Sequence, residues 1–224
     1  MSAATPAPPA VESEPCVVLH AIGWGQYEKI LEALPEQAGL RIIYLDGRLT
    51  FLSPSYRHEF DAERCGLIVV AIANGLGIAW EQAGHTTYRQ EAKRGGVEGD
   101  KTFYFGEDAE HMLGVDEIDL TTQPPPSLAI EVEATHPADD AVAVWWRLGV
   151  PEVWRLDEKR GALTFGVRRD DGTYAPSPRS AAFPFLEPDD VLAQLRLAAE
   201  VGSSRWFAQL DGWVRTVLLP RRGV

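Results

Sequence analysis

The sequence has few cysteines and no long hydrophobic run, and each of these shortages excludes a class of protein. Its two cysteines, Cys16 and Cys65, match no metal-binding spacing and imply no disulfide framework. No apolar run approaches the roughly 18–20 residues of a membrane-spanning helix. The N-terminus lacks the basic start and apolar middle of a signal peptide. These absences predict a cytoplasmic protein that does not enter a membrane.

Basic residues are also scarce, and lysine above all. The chain has 33 acidic residues against 21 basic ones, which gives a net charge of −12. Proteins that bind nucleic acid regardless of sequence gain affinity by neutralising phosphates with basic side chains. The composition therefore argues against a general nucleic-acid binder, although it leaves room for a local basic cleft. Only four of the bases are lysines: Lys29, Lys93, Lys101 and Lys159.

The rest of the composition is typical of a globular domain. Hydrophobic residues make up 45% of the 224 residues and charged residues 24%, enough for one domain with a sizeable core. Residues 1–15 are rich in alanine, proline and serine and are predicted to be a disordered leader. Residues 16–224 are predicted to form a single domain that ends in helices.

The order of the predicted elements indicates a mixed α/β fold. Apolar residues at helical spacing predict helices that begin near Trp24 and Tyr56, and Asp46-Gly47 between two strand-like runs predicts a hairpin. The glycine-rich segment before Lys101 is predicted to be a loop. Further strands are predicted within 78–90, 101–105, 128–132 and 151–176, a helix over 138–148, and two helical stretches after 183. This order predicts a central sheet with helices on its faces.

Acidic side chains occur where two of these strands meet polar segments. Successive side chains of a strand point to opposite faces, so Glu131 and Glu133 share one face and their apolar neighbours share the other. Asp100 follows a glycine-rich turn and begins an aromatic strand, with Lys101 on the opposite face. Mg²⁺ takes oxygen ligands such as these and keeps several waters. The pattern leaves two interpretations open, solvated acids at strand ends or a metal site.

Three longer runs carry a resemblance to a known family. They are HTTYRQEAKRGGVEGDKTFYF, DEIDLTTQPPPSLAIEVEAT and GVPEVWRLD, and with SPSYRHE they resemble the Uma-two family of restriction endonucleases, in the PD-(D/E)XK nuclease superfamily. The similarity extends from Trp24 to Leu195. It implies a restriction-endonuclease-like fold, a mixed central β-sheet flanked by α-helices. In that fold an aspartate and a glutamate on adjacent strands hold Mg²⁺, or Mn²⁺ in its place.

The resemblance also assigns roles to individual residues. The family's Glu-Pro-Asp stretch falls on Glu98-Gly99-Asp100, so Asp100 takes the position of the metal-binding aspartate. Glu131 takes the position of the second metal ligand. Glu133 stands at the third position of the motif, where the superfamily often has a lysine, and it is a candidate catalytic residue as a supporting carboxylate.

Two further candidates match the family's His-Glu pair at the start of the long helix. Glu59 is a candidate supporting carboxylate for the metal, and His58 is a candidate catalytic residue. The alternative role of His58 is capping or hydrogen bonding at the helix start. His136, just after the glutamate strand, could accept a proton, although a lone loop histidine more often has no such role.

One expected residue is missing. In the relatives that look closest to this sequence the lysine comes from the helix after the glutamate strand, and Ala141 stands at that position here. No lysine occurs between Lys101 and Lys159. Lys101 points away from the face of Asp100, and Arg147 lies about 240° around the helix from Ala141. The sequence therefore shows no replacement for the lysine that orients water and stabilises negative charge.

Two functions from different classes follow from these residues. The first is a Mg²⁺-dependent endonuclease that binds DNA as a homodimer and hydrolyses its phosphodiester bonds. The second is a catalytically degenerate nuclease fold retained for binding DNA or protein, which Ala141 and the net charge favour. A purely structural α/β domain is a third interpretation.

Overall fold

The computed structural model describes residues 14–34, 39–84 and 86–223. The leader predicted over residues 1–15 lies outside the described residues except for its last two, Glu14 and Pro15. Glu14 is buried, with 4% of its surface exposed, and the backbone of Pro15 accepts a hydrogen bond from Ser53. Ordered structure therefore begins before the strand that opens at Cys16.

The described residues form eleven strands and six α-helices. In chain order they are β1 (Cys16–Leu19), α1 (Trp24–Ala33), β2 (Arg41–Leu45), β3 (Arg48–Leu52), α2 (Tyr56–Leu76), β4 (Trp80–Ala83), β5 (Thr87–Gln90), β6 (Gly95–Glu98), β7 (Lys101–Phe105), α3 (Glu107–His111), β8 (Leu128–Glu133), α4 (Asp139–Leu148), β9 (Glu152–Asp157), β10 (Ala162–Arg168), β11 (Tyr174–Ser177), α5 (Pro188–Val201) and α6 (Ser203–Trp213). No helix in this part of the chain combines the length and apolar character that crossing a membrane would require.

The strands form two sheets. One has the order β1-β3-β2-β6-β5, and the other has the order β11-β10-β9-β8-β7-β4. In the larger sheet β8 and β9 are parallel, whereas the other neighbours are antiparallel. The predicted mixed α/β class is confirmed. The prediction placed one sheet at the centre, but β4 and β5, which follow each other in the chain, belong to different sheets.

The predicted loop before Lys101 is wrong in part, because Gly95–Glu98 forms strand β6. Its glycines allow close approach of neighbouring elements. A Cβ on Gly96 would collide with the hydroxyl of Tyr27 in α1, and one on Gly95 would lie 3.1 Å from Val144 in α4. These glycines therefore reflect tight packing against two helices, a reason that only the tertiary structure reveals.

Local signals predicted the first hairpin and the start of the long helix correctly. Asp46 and Gly47 both have positive φ, 50° and 89°, as a two-residue turn of this kind requires. Ser55 caps α2 by accepting a hydrogen bond from the backbone N–H of His58 at 3.2 Å. This cap sets where the first turn of α2, with His58 and Glu59, meets the larger sheet.

The two faces of the larger sheet pack into separate cores. Ile130 and Val132 join the core formed with α2, α5 and α6, whereas Ala129 joins the core formed with α4. This alternation confirms the predicted facing of β8. Glu131 therefore points toward α4, into the space that the smaller sheet also borders.

Candidate functional site

The strand register brings the two predicted metal ligands together. β7 and β8 are antiparallel with Lys101 opposite Ile130, and the same register continued by one step places Asp100 opposite Glu131. Directly opposed residues have Cβ atoms about 4.5–5.5 Å apart. Both residues are buried, with 3% and 6% of their surface exposed. The interpretation as solvated acids at strand ends is therefore wrong.

Asp100 is held by three groups from three different elements. Its Oδ1 accepts a hydrogen bond from Arg41 Nε at 3.0 Å, and its Oδ2 accepts one from the backbone N–H of Val132 at 2.8 Å. His58 Nε2 lies 2.9 Å from Oδ2, although it is not directed for a hydrogen bond. Burial would raise the pKa of Asp100, but His58, Arg41 and the Val132 N–H outweigh it and hold that pKa below its usual value.

Glu131 lies in a different electrostatic environment. Its Oε1 accepts a hydrogen bond of 2.5 Å from Trp145 Nε1 in α4. Burial, and then the negative charge of Asp100, raise the pKa of Glu131 to about 8. Arg41 and His58 oppose this shift, but their direct contacts are with Asp100. Burial and the neighbouring carboxylate therefore favour the protonated form of Glu131 over that of Asp100.

His58 connects Asp100 to the N-terminal segment. Its Nδ1 lies 2.9 Å from Glu14 Oε1, which also accepts a hydrogen bond from the backbone N–H of Ser55 at 3.0 Å. Burial would lower the pKa of His58, but its contacts with Asp100 and Glu14 raise that pKa to about 10. Burial would raise the pKa of Glu14, but the bonds from His58 and Ser55 lower it to about 2. The imidazole is therefore a buried cation between two carboxylates.

Glu59 and Glu133, predicted as supporting carboxylates, are paired with arginines. Arg41 Nη2 donates to Glu59 Oε1 at 2.7 Å. The guanidinium of Arg41 therefore binds both Glu59 and Asp100. Glu133 lies at the end of β8, with its Oε1 2.6 Å from the guanidinium of Arg155. The structure thus brings His58 and Glu59 to Asp100 and Glu131 but directs Glu133 to a separate ion pair.

A small cavity of about 50 Å³ opens beside the two acids, with room for only a few water molecules. Asp100 and Glu131 line it together with Arg41, His58 and Ala141, and His136 stands at the same wall. Thr135 Oγ1 lies 2.9 Å from His136 Nδ1. The position predicted for the missing lysine is therefore beside the two acids, but it is filled by the methyl group of a buried alanine.

The basic residues considered as replacements for that lysine lie elsewhere. Lys101 contacts Glu63 on α2, on the opposite face of β7. Arg147 Nη2 lies 2.5 Å from Asp46 Oδ2 in the first hairpin. Both placements agree with the directions predicted from strand and helix geometry.

Gly99 explains why the family's proline is absent before Asp100. A Cβ at this position would lie 2.5 Å from Trp145 Cζ2 and 3.4 Å from Glu131 Oε1. The indole that donates to Glu131 occupies the space that any larger residue would need. The departure from the family pattern is therefore linked to the packing of Trp145 against the site.

The donor set fits a hydrated Mg²⁺ rather than an ion enclosed by protein. Within the three described ranges, no three or more His, Cys, Asp or Glu side chains are grouped so that they could hold a metal ion. Mg²⁺ does not require such a group, because it commonly binds through one or two carboxylates and keeps several waters. Asp100 and Glu131 supply such a pair. A divalent ion would also offset the charge repulsion that raises the pKa of Glu131.

The fold is restriction-endonuclease-like, as the resemblance implied. A solved structure with a similar fold is a protein from Anabaena variabilis, titled a "putative nuclease belonging to DUF820". It has a TM-score of 0.52 and 11% sequence identity, and the similarity covers 84% of this chain and 97% of that one. No curated protein matches the chain.

The family itself is identified from the sequence. The Uma2 family, described as "Putative restriction endonuclease", matches residues 24–200. The chain therefore belongs to the Uma2 family, as the motifs around Glu131 predicted. Glu14 and Cys16, which contact or line the site, lie outside the matched residues, whereas Arg41, His58, Asp100, Glu131 and Trp145 lie within them.

Sequence reasoning missed three contributors to the site: Arg41, Glu14 and Trp145. Arg41 is the first residue of a strand-like run. A charged residue next to apolar strand residues is only a weak sign of a functional side chain. Trp145 is a fully buried core residue, and its indole N–H also donates to Glu131. For Glu14 the local sequence offered no signal, because it lies in a segment whose composition indicates disorder.

Proposed function

We propose that the protein is a Mg²⁺-dependent endonuclease that hydrolyses phosphodiester bonds of DNA. The observation that carries the proposal is the pair of buried carboxylates, Asp100 and Glu131, opposite each other on adjacent strands of a nuclease fold. Membership of a family described as restriction endonucleases supports the reaction class and the choice of DNA. Mn²⁺ should replace Mg²⁺, because it accepts the same oxygen ligands.

Five residues of the site have defined parts in this proposal. Asp100 and Glu131 would hold the ion, which when bound would lower the pKa of a water and polarise a phosphoryl oxygen. His58 and the backbone of Val132 fix the carboxylate of Asp100, and Trp145 fixes that of Glu131. The small cavity restricts access, so the scissile phosphate must be presented at its mouth.

The test starts with the wild-type protein. Calorimetric titration of Mg²⁺ and Mn²⁺ should show saturable binding, and a supercoiled plasmid should be nicked only when one of these ions is present. Ca²⁺ serves as a matched control, because it takes oxygen ligands but in larger number and looser geometry. Binding no stronger than to a denatured sample of the same acidic chain would contradict the proposal.

A homodimer is part of the same proposal, because the resemblance that predicts the reaction also predicts two copies. Sedimentation velocity would measure it directly. A species of 24.7 kDa at all concentrations used for cleavage would contradict the dimer without affecting the assignment of the metal ligands.

A second function is favoured by one specific observation. Ala141, buried with 1% of its surface exposed, lines the cavity where a lysine was expected. We propose as the alternative that the fold no longer cleaves and is retained for binding DNA or protein. Losing one donor that stabilises developing charge commonly lowers a rate about 10²–10³-fold.

Substitution Ala141→Lys separates these two functions. If the wild-type site is active, the lysine is expected to change the plasmid-nicking rate only modestly, because other groups already supply the positive charge. The buried side chain adds volume, at a cost of about 1–3 kcal/mol, so unfolding must be measured as well. Ala141→Met is the matched control, with similar length and no charge. Nicking by Ala141→Lys alone, and not by wild type or Ala141→Met, would establish the degenerate enzyme.

A further inference from the structure

Phosphodiester hydrolysis at this site brings several negative charges together. The substrate phosphate is an anion, and it must approach a cavity lined by Asp100 and Glu131. Positive charge aimed at such a position stabilises the charge that develops in the transition state. The question is which side chain of this protein supplies it.

Arg41 is placed to do so. It begins β2, 4% of its surface is exposed, and it lines the same cavity as both acids. Its Nε donates to Asp100 Oδ1 at 3.0 Å and its Nη2 donates to Glu59 Oε1 at 2.7 Å. We infer that Arg41 supplies this positive charge while it holds Asp100 in position. The inference rests on the proposed nuclease function.

The fold explains how an arginine from another sheet reaches Asp100. β2 pairs with β6, with Ile43 opposite Val97, and β6 leads through Gly99 to Asp100, the residue just before β7. The first residue of β2 therefore lies beside the link between the two sheets. A planar guanidinium can bond two carboxylates at fixed angles, which a lysine ammonium does less well. Arg41 thus joins the smaller sheet, α2 and the metal-binding strand at one point.

Of the other cations near the site, Arg155 does not line the cavity, and His58 is enclosed between two carboxylates. Arg155 binds Glu133 and Asp139, with its Nη2 2.8 Å from Asp139 Oδ1. The imidazole of His58 lies between Asp100 and Glu14. Among the described residues that line the cavity, Arg41 is the arginine that borders both acids, and no lysine lines it.

This placement predicts two effects of opposite sign. The guanidinium competes with a divalent ion for Asp100 and repels it, so Arg41 weakens metal binding. The same charge offsets repulsion between the acids and the substrate phosphate, so Arg41 speeds cleavage. Arg41→Met, which keeps the volume and removes the charge, should therefore bind Mn²⁺ more tightly and cleave more slowly, by about 10²–10³-fold.

The experiment compares wild type with Arg41→Met, Arg41→Lys and Arg147→Met. Mn²⁺ affinity is measured by calorimetry, cleavage as separate kcat and KM values on plasmid DNA, and folding by circular dichroism. Arg41→Lys should keep an affinity close to wild type and recover part of kcat. Arg147→Met, an arginine paired with Asp46 outside the cavity, should change neither quantity.

The possible results distinguish the inference from the proposed function. A folded Arg41→Met that cleaves like wild type, or one in which affinity and rate fall together, overturns the role of Arg41 alone. A wild-type protein that neither binds Mn²⁺ nor cleaves overturns the proposed function, and the role of Arg41 with it. If Arg41→Met does not fold, Arg41→Lys decides the matter. A folded lysine variant with a lower kcat and an Mn²⁺ affinity close to wild type supports the role of Arg41, and one with the wild-type kcat overturns it.

Discussion

Asp100→Asn is expected to abolish metal-dependent cleavage, with a loss of at least about 10²–10³-fold in rate. The amide keeps the shape of the carboxylate but lacks the negative charge that binds a divalent ion. Calorimetry should show no saturable Mg²⁺ or Mn²⁺ binding by the variant. The plasmid-nicking rate, measured with and without metal, then gives the size of the loss.

The same substitution also affects stability, and this effect must be measured separately. Arg41 and His58 both lie against Asp100 in a buried position. Removing one partner of a buried ion pair typically costs about 3–5 kcal/mol, because the remaining charge is left uncompensated. Urea unfolding should therefore show a destabilised but folded variant.

Asp170→Asn is the matched control, since Asp170 is exposed in the turn between β10 and β11. It should leave metal binding, cleavage and stability unchanged. Cleavage by Asp100→Asn near the wild-type rate, in protein shown to be folded, would rule out Asp100 as a metal ligand.

Glu14→Ala is expected to lower the free energy of unfolding by about 3–5 kcal/mol. Glu14 accepts hydrogen bonds from the backbone N–H of Ser55 and from Thr135 Oγ1, and it pairs with His58. Alanine would leave the imidazolium of His58 buried beside Asp100 alone. Urea denaturation monitored by tryptophan fluorescence measures the change.

Two further variants identify the source of this loss. Glu14→Gln keeps a hydrogen-bonding group but removes the charge, so its destabilisation should be smaller than that of alanine. Glu200→Ala removes an exposed carboxylate near the end of α5 and should change the unfolding free energy by no more than about 0.5 kcal/mol. Equal midpoints for Glu14→Ala and wild type would show that the N-terminal segment contributes nothing to the site.

Neither the composition of its segment nor the family match identifies Glu14 as part of the site. Its neighbours in the sequence are rich in proline, alanine and serine, which predicts disorder. Its partner Thr135 is 121 positions away in the chain, and the family match begins only at residue 24. The site is therefore completed by a residue whose importance depends entirely on long-range contacts.

Much of the fold was predictable because its signals are local. The Asp46-Gly47 turn needs two residues with positive φ, and the preference of these residue types for that conformation is intrinsic. Helix α2 shows apolar spacing, a serine cap and a glycine at its end, all within one stretch of sequence. The alternation along β8 correctly separated Glu131 from Ile130 and Val132.

The candidate metal ligands were also identified from the sequence, but their environment was not. Two acids on predicted strands could have been solvated, and only the packing of α4 and the smaller sheet shows that they are buried. Glu133 has the same spacing and facing as Glu131, yet it pairs with Arg155. The difference arises because one acid lies under Trp145 and the other at the end of the strand.

The sequence by itself determined the family, the mixed α/β class, the presence of Asp100 and Glu131 on neighbouring strands, and the absence of the lysine at Ala141. Each of these depends on residue identity, motif spacing or strand periodicity. The tertiary structure alone decided that Arg41 and Glu14 complete the site, because Arg41 is separated from Asp100 by 59 positions and Glu14 from His58 by 44. Contacts at such separations depend on how two sheets and a helix pack together, and no local pattern specifies that packing.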